Sequence, residues 1–115
     1  MDITLEDAFR ELAGEEAGRR YEAAIILGDP KMWLGLDPTP EIARRLAPLL
    51  NDENWEVRYY SAEALGKLCY SESIPFLEKI ETDVNANVRK AARIALENIA
   101  RGKNGAQIPD SENER

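Results

Sequence analysis

Histidine is absent from the 115 residues, and cysteine occurs once, at Cys69. The first absence removes the commonest acid–base group and the commonest metal ligand. The second rules out an intrachain disulfide, and with no cysteine–histidine set there is no zinc site to assemble. No apolar run approaches the length of a membrane span, and the acidic opening Met-Asp-Ile-Thr-Leu-Glu-Asp does not read as a secretory signal. A cytoplasmic protein is the default expectation. Aromatics make up only 7% of the chain, so a surface cluster of them would stand out.

Positive charge is also short. Fifteen Lys and Arg face twenty-two Asp and Glu, a net −7. Most of the excess lies in residues 1–30, with eight acidic and three basic side chains. Such a balance disfavours nucleic acid and anionic membrane as partners. Hydrophobic content of 43% fits a folded domain with one core. The glycines do not form a phosphate-binding loop. Gly14, Gly28, Gly66 and Gly102 read as helix ends or small packing sites. No pair of carboxylates has a spacing that marks it as general acid and base, so the expectation is no catalytic residue, no metal, no cofactor and no enzymatic activity. Cys69 reads as a small buried thiol.

What is present is a pattern written twice. Leu46-Ala-Pro-Leu-Leu-Asn-Asp52 precedes Val57-Arg58-Tyr-Tyr-Ser-Ala-Glu-Ala64-Leu65-Gly66, and Leu77-Glu-Lys-Ile80-Glu-Thr-Asp83 precedes Val88-Arg89-Lys-Ala-Ala-Arg-Ile-Ala95-Leu96. Matching positions lie 31 residues apart throughout. A fixed period of this size marks a stacked repeat. A third, weaker copy ends in Arg20-Tyr-Glu-Ala-Ala24-Ile-Ile-Leu27-Gly28, offset by 38 from the middle one. Apolar spacing within the copies predicts helices over 3–13, 15–27, 40–50 and 55–69, a fifth that starts after Ser71 or Ser73 and runs to 81, and a sixth over 86–101. Asp2 or Thr4 would cap the first helix, and Thr39 before Pro40 the third; Pro48 should kink or shorten the latter. Trp33, in the apolar segment 31–36, would plug the gap between the first two repeats. Residues 1–102 then form one domain, with a degenerate first repeat at 1–36 and further repeats at 39–70 and 71–102. Residues 103–115 are expected to be a mobile polar tail. The fold class is all-α, a solenoid of about three stacked helical hairpins.

The motif Asp52…Val57-Arg58-x-x-Ser-Ala-x-Ala-Leu-Gly, with its second copy at Asp83…Val88-Arg89, resembles HEAT repeats, in particular the short HEAT-like repeats of phycobilin-lyase type. The resemblance covers residues 41–101 well and 15–28 weakly. It implies two layers of helices, with the second helix of each hairpin on a concave inner face. It also implies structural roles for Asp52, Arg58, Asp83 and Arg89 in turns and between repeats. The inner positions it assigns include Trp55, Glu56, Tyr59, Tyr60 and Glu63 in the middle repeat, Lys90 and Ile94 in the last, and Tyr21 and Glu22 in the first. Helical spacing independently places 55, 59 and 63 on a face that Val57, Ser61, Ala64 and Leu68 do not use.

Exposed aromatics on a rigid face favour binding, and Glu22, Glu56 and Glu63 beside them favour a partner with basic and apolar groups. The reading is a protein–protein interaction module that takes a protein or peptide on the concave face. The resemblance implies an alternative, a bilin- or tetrapyrrole-handling protein. A third reading is a self-associating scaffold or homodimer, joined through the last helix or the aromatic stripe.

Overall fold

In the computed structural model, which describes residues 4–33 and 39–102, six α-helices form three hairpins. These are α1 (Leu5–Leu12) with α2 (Ala17–Leu27), α3 (Thr39–Leu46) with α4 (Trp55–Leu68), and α5 (Ile74–Lys79) with α6 (Ala86–Ala100). The second helices make one layer, α2 against α4 against α6, and the first helices make the other. No strand occurs among the described residues. The all-α solenoid of three stacked hairpins is the observed architecture. Trp33's expected plugging role and the 103–115 tail lie outside the described side chains and residues.

Local chemistry explains each element. Thr4 accepts the Asp7 amide at 3.0 Å while the Asp7 side chain returns to the Thr4 amide, a capping box that starts α1. Proline acts as expected on the third helix: regular α-structure stops at Leu46, and Ala47–Asn51, with Pro48 inside it, is a 3₁₀ turn. Thr39 differs from expectation, lying inside α3 rather than capping it. Pro75 sits in the first turn of α5, where its missing N–H removes no helical bond. Gly102, just past α6, adopts φ +70°, the left-handed conformation that glycine takes without strain.

The two turns before α4 and α6 are built alike. Asp52 accepts the Asn54 amide at 2.9 Å, and Asn54 then accepts the amides of Glu56 and Val57. Asp83 and Asn85 repeat the arrangement with Asn87 and Val88. An Asp-x-Asn triplet thus folds the turn and caps the next helix in one stroke.

Burial follows the repeat. Leu27, Ile42, Leu46, Leu50, Val57, Leu65, Leu77 and Val88 are fully enclosed. Between layers of hairpins, the small residues decide the spacing. A Cβ added at Gly28 would come within 2.5 Å of the Ala64 Cβ, and one at Gly66 within 2.7 Å of the Ala95 Cα. Gly28 has a right-handed φ of −81°, so packing, not backbone conformation, demands glycine there.

Charge completes each seam. Arg20 donates from Nε and Nη2 to the Asp52 carboxylate at 2.9 and 3.0 Å. Arg58 does the same to Asp83 at 2.9 and 3.1 Å. Each arginine also donates through Nη1 to a carbonyl six residues earlier: Arg20 to Gly14, Arg58 to Asp52, Arg89 to Asp83. The arginine of one repeat therefore holds the turn of the next: Arg20 reaches Asp52 and Arg58 reaches Asp83, while Arg89 braces the turn of its own repeat. Arg20 belongs to the same ladder. For Asp83, burial raises the carboxyl pKa, but the Arg58 hydrogen bonds, the Asn85 amide and the charges of Arg58 and Arg89 outweigh it, and the net shift is downward.

Candidate functional site

Four rings form a continuous array across the first seam. Tyr60 of α4 stacks on Tyr21 of α2, with centroids 5.2 Å apart. Tyr59 meets Tyr60 edge to face at 4.9 Å, and Trp55 meets Tyr59 in the same way at 6.2 Å. Tyr21, Tyr59 and Tyr60 are half-buried, while Trp55, at the first position of α4, is 37% exposed. Offset and edge contacts of this kind hold rings in fixed orientations.

Tyr59 joins this array to a groove of about 350 Å³ between α4 and α6. Its floor is Ala91 and Ala95; Ile94, 48% exposed, supplies an apolar wall; Glu63, Lys67, Lys90 and Asn98 ring it. Burial raises the Tyr59 phenol pKa, and the Glu63 carboxylate and Tyr60 raise it further, so the hydroxyl stays neutral as a donor and acceptor.

The expected site residues therefore divide. Tyr59, Glu63, Lys90 and Ile94 line one groove, and Trp55, Tyr60 and Tyr21 connect to it through ring contacts. Tyr60 spends much of its surface filling the seam. Glu22 stands apart, in a cleft between α1 and α2 with Glu11, Arg19 and Ile26. The equivalent of Glu22 in the middle repeat, Tyr60, packs on Tyr21 of the preceding repeat. Glu56 donates its amide to the Asn54 cap and does not line the groove. The expected acidic bias is thus corrected: two lysines face one glutamate around the opening. Lys67 and Asn98 were missed, although each lies four residues beyond an expected groove residue, Glu63 and Ile94, on the same helix face.

Cys69 closes α4 in a left-handed conformation, φ 55°, and its thiol donates to the Asn98 carbonyl at 3.3 Å. Burial raises its pKa, which opposes nucleophilic use. Among the described residues no group of three or more Cys, Asp or Glu could hold a metal ion. No described helix is long and apolar enough to cross a membrane.

The family model for HEAT repeats matches residues 6–97, the span that contains all three hairpins except Leu5 and the end of α6. The chain belongs to the HEAT-repeat family. Its similarity to curated proteins includes the deoxyhypusine hydroxylase of Schizosaccharomyces pombe (strain 972 / ATCC 24843), at 33% identity over 97 residues. That alignment covers 84% of this chain but only 28% of the hydroxylase. This HEAT-repeat chain thus spans little more than a quarter of its relative's length. The relative is an enzyme, which overturns the expectation, drawn from composition, of no enzymatic activity. The missing histidine describes this segment's side chains; it does not separate such repeats from proteins that carry out catalysis.

Proposed function

We propose that the face made by α2, α4 and α6 binds a protein or peptide segment, with Trp55 and Tyr59 as its anchors. The observation that carries this is the ring array that ends on the α4–α6 groove. Rings already ordered by their neighbours lose little side-chain entropy on binding. The groove supports an apolar side chain against Ala91, Ala95 and Ile94, with Glu63, Lys67 and Lys90 reading polar groups at its rim. Exposed Ile25, at the position in α2 equivalent to Glu63 and Ile94, extends the apolar stripe.

A displayed peptide library selected on the wild-type chain, then counter-screened on Trp55→Ala/Tyr59→Ala, tests the reading. Both chains should show equal helical circular dichroism. Peptides enriched for bulky apolar residues and lost by at least tenfold on the double variant are the expected outcome, since such anchors contribute about 2 kcal/mol or more each. Peptides retained equally by both chains would move the site elsewhere. Sedimentation of the wild type as a dimer, reverting to monomer in the double variant, would give this face to a second copy instead.

A further inference from the structure

The arginine–aspartate ladder has two filled rungs and one open end. Arg20 and Arg58 each use Nη1 for a backbone carbonyl and direct Nε and Nη2 at a carboxylate of the next repeat. Arg89 makes the same Nη1 bond, to the Asp83 carbonyl at 2.7 Å. Its Nε and Nη2 have no hydrogen-bond partner among the described residues. Its side chain is half-buried and held in place. The fork is therefore set in the geometry that twice takes a carboxylate.

A further repeat stacked in the same way does not suit this end. Positions 58 and 66 of α4 and its C-cap, Cys69, face the third hairpin, through the Asp83 rung, the Gly66–Ala95 contact and the Cys69–Asn98 bond. Ala62 lies between them on that face. The equivalents in α6 are Arg89, Arg93, Glu97 and Ala100. Arginine replaces the small residue of the first two seams (Ala24, Ala62), and glutamate replaces glycine (Gly28, Gly66). Glu97 would stand where a neighbouring helix must approach to within a missing Cβ. Nor does the other end of a second copy fit. The place of the ladder aspartate, six residues before the arginine, is held in the first repeat by Gly14, which offers no carboxylate.

What the end face offers is charge. From Arg89 to Arg101, leaving aside Lys90 at the groove, three basic side chains (Arg89, Arg93, Arg101) stand against Glu97 in a chain of net −7. Arg93, one turn from Arg89 on the same face, is exposed and forms no ion pair among the described residues. We infer that the Arg89–Arg93 face of α6 docks an acidic turn of another polypeptide, whose aspartate occupies the third rung as Asp52 and Asp83 occupy the first two. The filled rungs define the ligand: a carboxylate that takes both N–H groups of the fork and the amide two residues on. This site lies on a different surface from the α4–α6 groove and does not depend on it.

The test uses the full chain and a blocked peptide copying residues 80–87, Ile-Glu-Thr-Asp-Val-Asn-Ala-Asn, followed through the arginine Nε–H signals by NMR. The peptide should shift the Arg89 signal. The same peptide with asparagine at its aspartate should bind about tenfold more weakly or worse, the scale of a lost charge-assisted pair. Arg89→Lys keeps a donor for the Asp83 carbonyl but loses the fork, so it should fold normally and lose the peptide. An unmoved Arg89 signal, or equal binding of both peptides, overturns the inference. Shifts at the Trp55 indole alone would overturn it and leave the groove reading standing. An Arg89 signal that Asp110→Asn alters in the absence of peptide would place the chain's own carboxylate on the rung, and also overturns it.

Discussion

Gly66 of α4 lies so close to Ala95 of α6 that a Cβ on the glycine would sit 2.7 Å from both the Cα and the Cβ of the alanine. Two effects of opposite sign meet at this residue. Replacing a mid-helix glycine by alanine gains about 1 kcal/mol of helix propensity. Overpacking a close contact costs about 1–3 kcal/mol, and here the atom in the way is backbone. Packing wins. Gly66→Ala should lower stability by about 1–2 kcal/mol in denaturant titration, and adding Ala95→Gly should restore part of it. A stabilised Gly66→Ala variant would show that the seam opens freely.

The Arg58–Asp83 rung makes stability depend on pH in a defined direction. The folded Asp83 pKa is depressed, so its contribution is fully present above the unfolded value of about 3.9 and is lost as pH falls through the lower folded value. Asp83→Asn should cost about 2–3 kcal/mol at neutral pH, because Arg58 is left without its carboxylate in a largely buried place. The same variant should lose part of its stability slope below about pH 4. Thermal melts of both proteins across the acid range check both signs. Parallel curves would remove Asp83 from the acid response.

Ser61 carries a hydroxyl that is wholly buried and has no hydrogen-bond partner among the described residues. Ala23 and Ala92 hold the same position in the other repeats. Ser61→Ala should raise stability by about 1 kcal/mol, since it removes an unsatisfied polar atom without opening a void. A loss of stability would reveal a partner for the hydroxyl.

The phenol of Tyr59 should titrate above the ordinary tyrosine range in a spectroscopic pH titration. Burial is the leading cause, and the Glu63 charge the next. Glu63→Gln should therefore lower the value only part of the way back. Complete reversal would mean that burial contributes little, and that Tyr59 is more open to water than its packing against Tyr60 implies.

Much of this architecture is legible in the 31-residue period. Two copies of an Asp, a Val-Arg and an Ala-Leu at one spacing place α3 to α6 and two turns before any coordinates. The weaker 38-residue offset was enough to locate α2, but it concealed the Arg20–Asp52 rung. The first repeat has Gly14 where the others have aspartate, so a search for matched pairs within a repeat passes over Arg20. The bond instead crosses 32 residues to the next repeat. Helix periodicity put Tyr59, Glu63, Lys90 and Ile94 on one face. It could not show that Glu22 faces a cleft with Glu11, Arg19 and Ile26 rather than the groove. The exclusion of enzymatic activity failed for another reason: composition describes side chains in one segment, whereas catalysis belongs to a whole protein.

Each rung, and each glycine contact, crosses a single seam. Among the described residues no such tie joins the first hairpin to the third, so unfolding is expected to run along a short chain of neighbours rather than as one block. Either outer hairpin can peel away by breaking one seam, but α4 is released only when both are broken. Amide hydrogen exchange should accordingly be slowest in the middle of α4 and quicken outward toward α1 and α6, a gradient of local opening laid down by the direction in which the arginines reach.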